Sequence, residues 1–279
     1  MFPEVDGATL LSLRGTCRAL VELVDNYLAH HLVVAEIHTF SQQTSTWPYI
    51  LGPSPFRSAL GDAAKWRSYT HSTRVVDVIA DVSRFLPAED MAGFGILNVV
   101  RARGGRMLGT DLREFKASTL VVFAGNSIPK YSADQLVITF LERWTRPESF
   151  LVPEPAKLGP MAIIVAEVVA TSDHFDHDLA SWISFLFSLF VIPKLAVPRP
   201  KLVLPWPLRP LAPHDMQNII APTTPSTLAE YACASIDKLR RGRLPRTTIE
   251  EMVDSVELIS LGDYHKSIGD TRFDLYTKR

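Results

Sequence analysis

RVVDVIADVSRFLPAEDMAGFGILNVVRARGGRMLGTDLREFKASTLVVFAGN, residues 74–126, sets the architecture. Three short apolar runs stand in it: RVVDVIADV at 74–82, NVVRARG at 98–104 and LVVFAGN at 120–126. Each carries a valine pair, and Val75-Val76, Val99-Val100 and Val121-Val122 are separated by 24 and then 22 residues. Successive β-branched side chains suit a pleated strand, where their stiffness at χ1 costs little and both faces offer packing partners. Outside this stretch, MAIIVAEVV at 161–169, KLVL at 201–204 and VELISL at 256–261 continue the series at wider intervals. LVVAEIHTF at 32–40 precedes it as a further strand, and 41–55, rich in Ser, Thr and Pro, reads as a loop.

Two architectures satisfy this pattern. A period in the low twenties falls within the leucine-rich-repeat range of about 20–29 residues, where each unit supplies a strand and a return segment and stacks on its neighbours. Phe94, Leu97 and Val99 occupy apolar slots of such a unit, although the full consensus is not present in clean form. An ordinary parallel α/β sheet gives the same alternation of short apolar strands and helices. The expected fold class is α/β, with an N-terminal helical hairpin followed by a leucine-rich-repeat-like or other mostly parallel α/β sheet body.

The hairpin is read from Thr9 to Val34, TLLSLRGTCRALVELVDNYLAHHLVV. Leu10, Leu13, Cys17, Leu20, Val24 and Leu28 recur at steps of three and four, which places them on one helical face, while Arg14, Arg18, Glu22 and Asp25 fall largely between them. Gly15 inside this pattern costs about 1 kcal/mol relative to Ala, so two short helices, or one bent helix, are expected in place of a single rod. Taken by itself, the pattern also fits an amphipathic pair packed on the rest of the protein.

The same residues, the leucine pair Leu10-Leu11, then Leu13-Arg14, Cys17-Arg18, Leu20 and Val24-Asp25, resemble the later part of an F-box. The resemblance is to a truncated one, because Phe2-Pro3-Glu4 stands too close to Leu10 to leave room for the family's full first helix. The C-terminal SLGDYHKSIGDTRFDLYTKR also resembles the closing segment of fungal F-box-like proteins. The resemblance implies a non-enzymatic interaction module, the substrate-recruiting subunit of a cullin-RING ubiquitin ligase. A Skp-type adaptor would then be met by Leu10, Leu11, Leu13, Cys17, Leu20 and Val24, with a protein substrate held by the body. It divides the chain into a 1–34 F-box-like segment and a 35–279 body. A binding protein without an adaptor, and a metal-dependent hydrolase, stand as alternatives.

Bulk properties narrow the classes. Hydrophobic residues make up 47% and charged residues 21% of the 279, the composition of a folded chain and not of an extended disordered one. With a net charge of −1 there is no strongly basic field to gather nucleic acid. The two cysteines, Cys17 and Cys233, suggest reduced core thiols of an intracellular protein, cytoplasmic or nuclear. LASWISFLFSLFVI at 179–192 is the longest apolar segment; it is shorter than the ~20 residues of a membrane span and reads as a buried helix, so no membrane is expected as a partner.

Several ends are legible. Ser132-Ala-Asp-Gln135 has the form of a capping box leading into a helix through Leu136, Val137, Phe140, Leu141 and Trp144. Thr227-Leu-Ala-Glu230 starts a second helix that ends near Gly242, and 58–69 carries a short one. Nine prolines from Pro193 to Pro225 form an excursion and an internal boundary. A short helix over 262–268 and a strand over 273–276 close the chain.

Motifs of phosphate-binding loops, nucleophile elbows and paired-cysteine metal sites do not occur, and Gly93-Phe-Gly95 is followed by Asn98 where a dinucleotide turn needs glycine. No cofactor and no catalytic residue is assigned. Asp173-His-Phe-Asp-His-Asp178 has ligand chemistry suited to zinc or iron, which is the basis of the hydrolase alternative, but acidic residues before a helix are also what its dipole favours. Lys238-Leu-Arg-Arg-Gly-Arg243-Leu-Pro-Arg246 fits a nuclear address or an acidic-partner patch, or the decoration of a helix C-terminus, and Pro207-Leu-Arg-Pro210 fits a polyproline ligand or chance.

Overall fold

A computed structural model of the chain describes residues 7–36, 48–51, 70–79, 91–103, 111–123, 128–140, 160–165, 179–187, 199–204 and 225–278. The chain divides into two compact units, Met1–Leu120 with Pro129–Asp134, and Val121–Ile128 with Gln135–Arg279. Both are α/β. The helix expected over 58–69, the Asp173–Asp178 cluster and Pro207–Pro210 lie outside the described residues.

In the first unit, α1 (Gly7–Thr16) and α2 (Arg18–Ala29) lead into β1 (His31–Glu36). β2 (Pro48–Leu51), β3 (Val75–Ile79) and β4 (Ile96–Ala102) follow, with the start of β5 (Lys116–Phe123), and the strands lie in the order β2-β1-β3-β4-β5. β1, β3 and β4 are parallel, with Leu32 opposite Val76 and Val76 opposite Val100. β2 falls in what reads from sequence as a loop. It is an antiparallel edge strand that starts at Pro48, a place where the missing amide costs no ladder bond.

The valine pairs are strands because both members are buried. Val76, Val78 and Ala102 are wholly covered, Val100 nearly so, and on the opposite face Val75, Leu97 and Val99 are buried as well. At roughly 1.5–3 kcal/mol for each fully buried Val or Leu, these side chains dominate the local energetics. Burial on both faces is what parallel strands with near-continuous apolar runs require.

In the second unit the strands run β5-β6-β7-β8-β9, with β6 Gln135–Phe140, β7 Met161–Val165, β8 Lys201–Leu204 and β9 Glu257–Ser260; β6 to β9 are parallel. The helices are α3 (residues 179–187), α4 (Pro225–Arg240), α5 (Arg246–Asp254), α6 (Leu261–Ile268) and α7 (Asp270–Thr277). α3 is the buried helix expected from its sequence: Leu179, Ala180, Trp182, Ile183 and Leu186 are fully covered. Among the described residues no helix is long and apolar enough to cross a membrane.

Two elements differ from the sequence reading. Gln135–Phe140 is strand β6 and not the start of a capped helix. Leu136, Val137, Ile138 and Thr139 are all buried, so both sides of this segment need cover, whereas an amphipathic helix would leave one side wet. Phe273–Tyr276 belongs to helix α7. The Thr139 hydroxyl, fully buried, donates to the Tyr276 carbonyl at 2.6 Å and docks the end of α7 onto β6. The preceding corner is set by Ser260, whose hydroxyl accepts from the Asp263 amide at 2.9 Å and starts α6, and by Gly269, whose φ of 79° ends it.

Candidate protein-interaction face and a buried charge cluster

The N-terminal pattern does break into two helices, and the break falls at Cys17, which is extended (φ −149°, ψ 129°) and stands before α2 without giving it a side-chain cap. Arg14 closes the pair: its Nε and Nη2 donate to the two carboxylate oxygens of Asp25 at 2.6 and 3.1 Å, a bidentate contact across the break. At the other end of α2 the Thr73 hydroxyl donates to the Ala29 carbonyl at 2.8 Å, and the Ser72 hydroxyl donates to Asn26 Oδ1 at 3.0 Å. The helix is thereby tied to the segment that enters β3.

The residues expected to face a partner separate into groups. Val24 is fully buried and belongs to the core of the first unit, a correction that follows from position: it sits on the side of α2 that half-buried Leu20 and Val21 flank one turn earlier. Leu13 and Leu20 are half-buried. Cys17 is exposed, not a core thiol, because the chain leaves helical geometry there and the side chain has no neighbouring turn to pack on. Cys233 is half-buried, and burial pushes its thiol pKa up. The side chains of Leu10 and Leu11 lie outside what the structure describes.

Sequence periodicity misses the other side of α2. Leu23 and Tyr27 are 49% and 41% exposed, and with exposed Ala19 they recur every fourth residue along one line of the helix. α2 therefore has apolar side chains on two sides, one spent on the core and one part-exposed. The signal was present in the run Leu20-Val-Glu-Leu-Val24, which holds more apolar residues than a single face needs.

A second arrangement, also missed, lies on the sheet of the first unit. Asp77, on β3, is 2% exposed and has Arg101 as its register partner on β4. Arg101 Nη1 is 3.3 Å from its Oδ1, and Nη2 of Arg103, just past β4, is 3.2 Å from its Oδ2. His31, two residues before Asp77's partner Val33 on β1, brings Nε2 to 3.3 Å from Oδ1, without hydrogen-bond geometry. Burial lowers the Arg101 pKa to about 10 against the raising pull of Asp77 and with help from Arg103, so it stays a cation at neutral pH. A carboxylate gripped by two guanidiniums from the neighbouring strand fixes register; it is not a free general base. The offset of 24 residues that relates Val75 to Val99 also relates Asp77 to Arg101, and that is how the pair could have been found.

Among the described residues no group of three or more His, Cys, Asp or Glu side chains could hold a metal ion. Compared with family models, curated proteins and solved structures, the chain matches none.

Proposed function

We propose that this chain is a non-enzymatic protein-interaction module whose N-terminal hairpin docks on a Skp-type adaptor, with the α/β body receiving a protein to be presented to a cullin-RING ligase. The observation that carries the reading is the part-exposed apolar line of α2, Leu23 and Tyr27, beside half-buried Leu20 and Leu13 and exposed Cys17. Large apolar side chains held outward on a helix clamped by Arg14–Asp25 are the usual content of a helix-mediated interface. The resemblance of this stretch to the later part of an F-box supplies the class of partner.

The strand order supports a binding body. In each unit the parallel strands follow one another in space as they do in sequence, so among the described strands of each unit there is no reversal of order of the kind that opens a ligand crevice in doubly wound enzymes. Sequential order is also how stacked repeat units progress. Burial on both faces of β3, β4 and β7, however, favours a covered mostly parallel sheet over a leucine-rich-repeat arc with an open concave face.

The test is a pull-down of the purified chain with a Skp-type adaptor, comparing wild type with Leu23→Asp/Tyr27→Asp. Both side chains are part-exposed, and the variant, shown by circular dichroism to be folded, is expected to lose binding. Absence of wild-type binding, or undiminished binding by the variant, removes the adaptor reading.

A further inference from the structure

In the second unit, α3, the end of α4 and α5 enclose an open cavity of about 590 Å³, within the range of roughly 300–1,000 Å³ that takes small organic molecules. Phe187, Leu239, Leu244 and Met252 give it an apolar wall. Arg240, Arg241 and Arg243 line it too, and all three are exposed. Among the described residues none of these guanidiniums is in an ion pair, while Glu250 on α5 is already engaged by Arg246 Nε at 3.0 Å.

A helix C-terminus attracts cations, which accounts for Arg240 in the last turn of α4. The dipole does not explain the turn beyond it. Arg241 has a φ of 52°, the one non-glycine residue with positive φ among those described, and Gly242 comes next at 66°. Such backbone is disfavoured for a long side chain, yet this turn brings all three arginines to the same cavity. Ser184, on α3, also lines the cavity.

We propose that this cavity binds a small anionic amphiphile, a carboxylate or phosphate monoester on an aliphatic chain. Its charged head is held by Arg240, Arg241 and Arg243, and its chain lies against Phe187, Leu239, Leu244 and Met252. An acidic peptide offers the same charge, but the lining residues lie on helices and the turn after α4, and none of them belongs to a strand whose edge a peptide backbone could pair with. The cavity shares no residue with the α2 face, so either proposal can fail without the other.

The experiment is calorimetric titration of the full chain with decanoate, with decyltrimethylammonium (same chain, opposite charge) and acetate (head alone) as controls. One saturable decanoate site is expected, with both controls at least about tenfold weaker, and Arg240→Ala/Arg243→Ala, checked for folding by circular dichroism, weakening decanoate about tenfold or more. Decyl phosphate in place of decanoate then distinguishes the two head groups. The proposal is overturned if neither decanoate nor decyl phosphate saturates, if the cationic amphiphile binds equally, or if the arginine variant binds as wild type. It is also overturned if a leucine-containing acidic peptide binds and decanoate does not, which would make the cavity a protein-docking site.

Discussion

Replacing Asp77 with Asn keeps the shape of the side chain and removes the carboxylate that Arg101 and Arg103 share. At 3.3 Å and an effective dielectric of about 20, the Arg101–Asp77 attraction is about 5 kcal/mol before desolvation is counted. Its net worth is far smaller, because both charges were taken out of water. Losing one partner is different: Arg101, 3% exposed, would keep its desolvation cost, and the expected destabilisation is about 3–5 kcal/mol. That is a large share of the roughly 5–15 kcal/mol that holds a domain together. With a urea m-value near 2 kcal/mol/M, the unfolding midpoint of the first unit, followed by far-UV circular dichroism, should fall by about 1.5–2.5 M. The double variant Asp77→Val/Arg101→Met removes both charges and should recover most of the loss. A loss below about 1 kcal/mol for Asp77→Asn, or a double variant no more stable than the single one, would refute the assignment of this pair as a buried ion lock.

Two further outcomes are expected. Tyr264 is buried with its hydroxyl unpartnered, and burial, with a smaller push from Tyr276, raises its pKa above the ordinary value of 10.0. Because the folded-state value is the higher one, its contribution is fully present below pH 10 and is lost as the pH rises toward the folded pKa. Tyr264→Phe should leave stability at pH 7 unchanged or raise it by up to about 1 kcal/mol, and should show a shallower decline than wild type between pH 10 and 11 in thermal melts. A parallel decline in the two proteins would count against the assignment. Arg241→Gly relieves the positive φ at 52° and should raise the melting midpoint by an amount equivalent to about 0.5–1 kcal/mol; a lower midpoint would mean that the arginine side chain holds the turn together.

The α/β class and the place of most strands were legible in the sequence, because a β-branched pair buried on both faces has few other uses. Val75-Val76, Val99-Val100 and Val121-Val122 are strand residues in the structure as in the sequence reading. The break of the N-terminal pattern into two helices was legible as well. Local patterns failed where two conformations fit the same short run. Leu136-Val-Ile-Thr139 carries apolar residues that suit a helix or a strand, and its place beside β7 decided for the strand. Phe273–Tyr276 is helical, and its end is docked by a buried hydrogen bond from Thr139, 137 residues earlier, to the Tyr276 carbonyl, a partner no window of sequence contains. The division of α2 into a core side and a part-exposed side, and the meeting of Asp77 with Arg101 and Arg103, were likewise settled by tertiary structure. Periodicity states which residues share a face, but only the packing of distant elements determines which face is covered and which charges end within reach of one another.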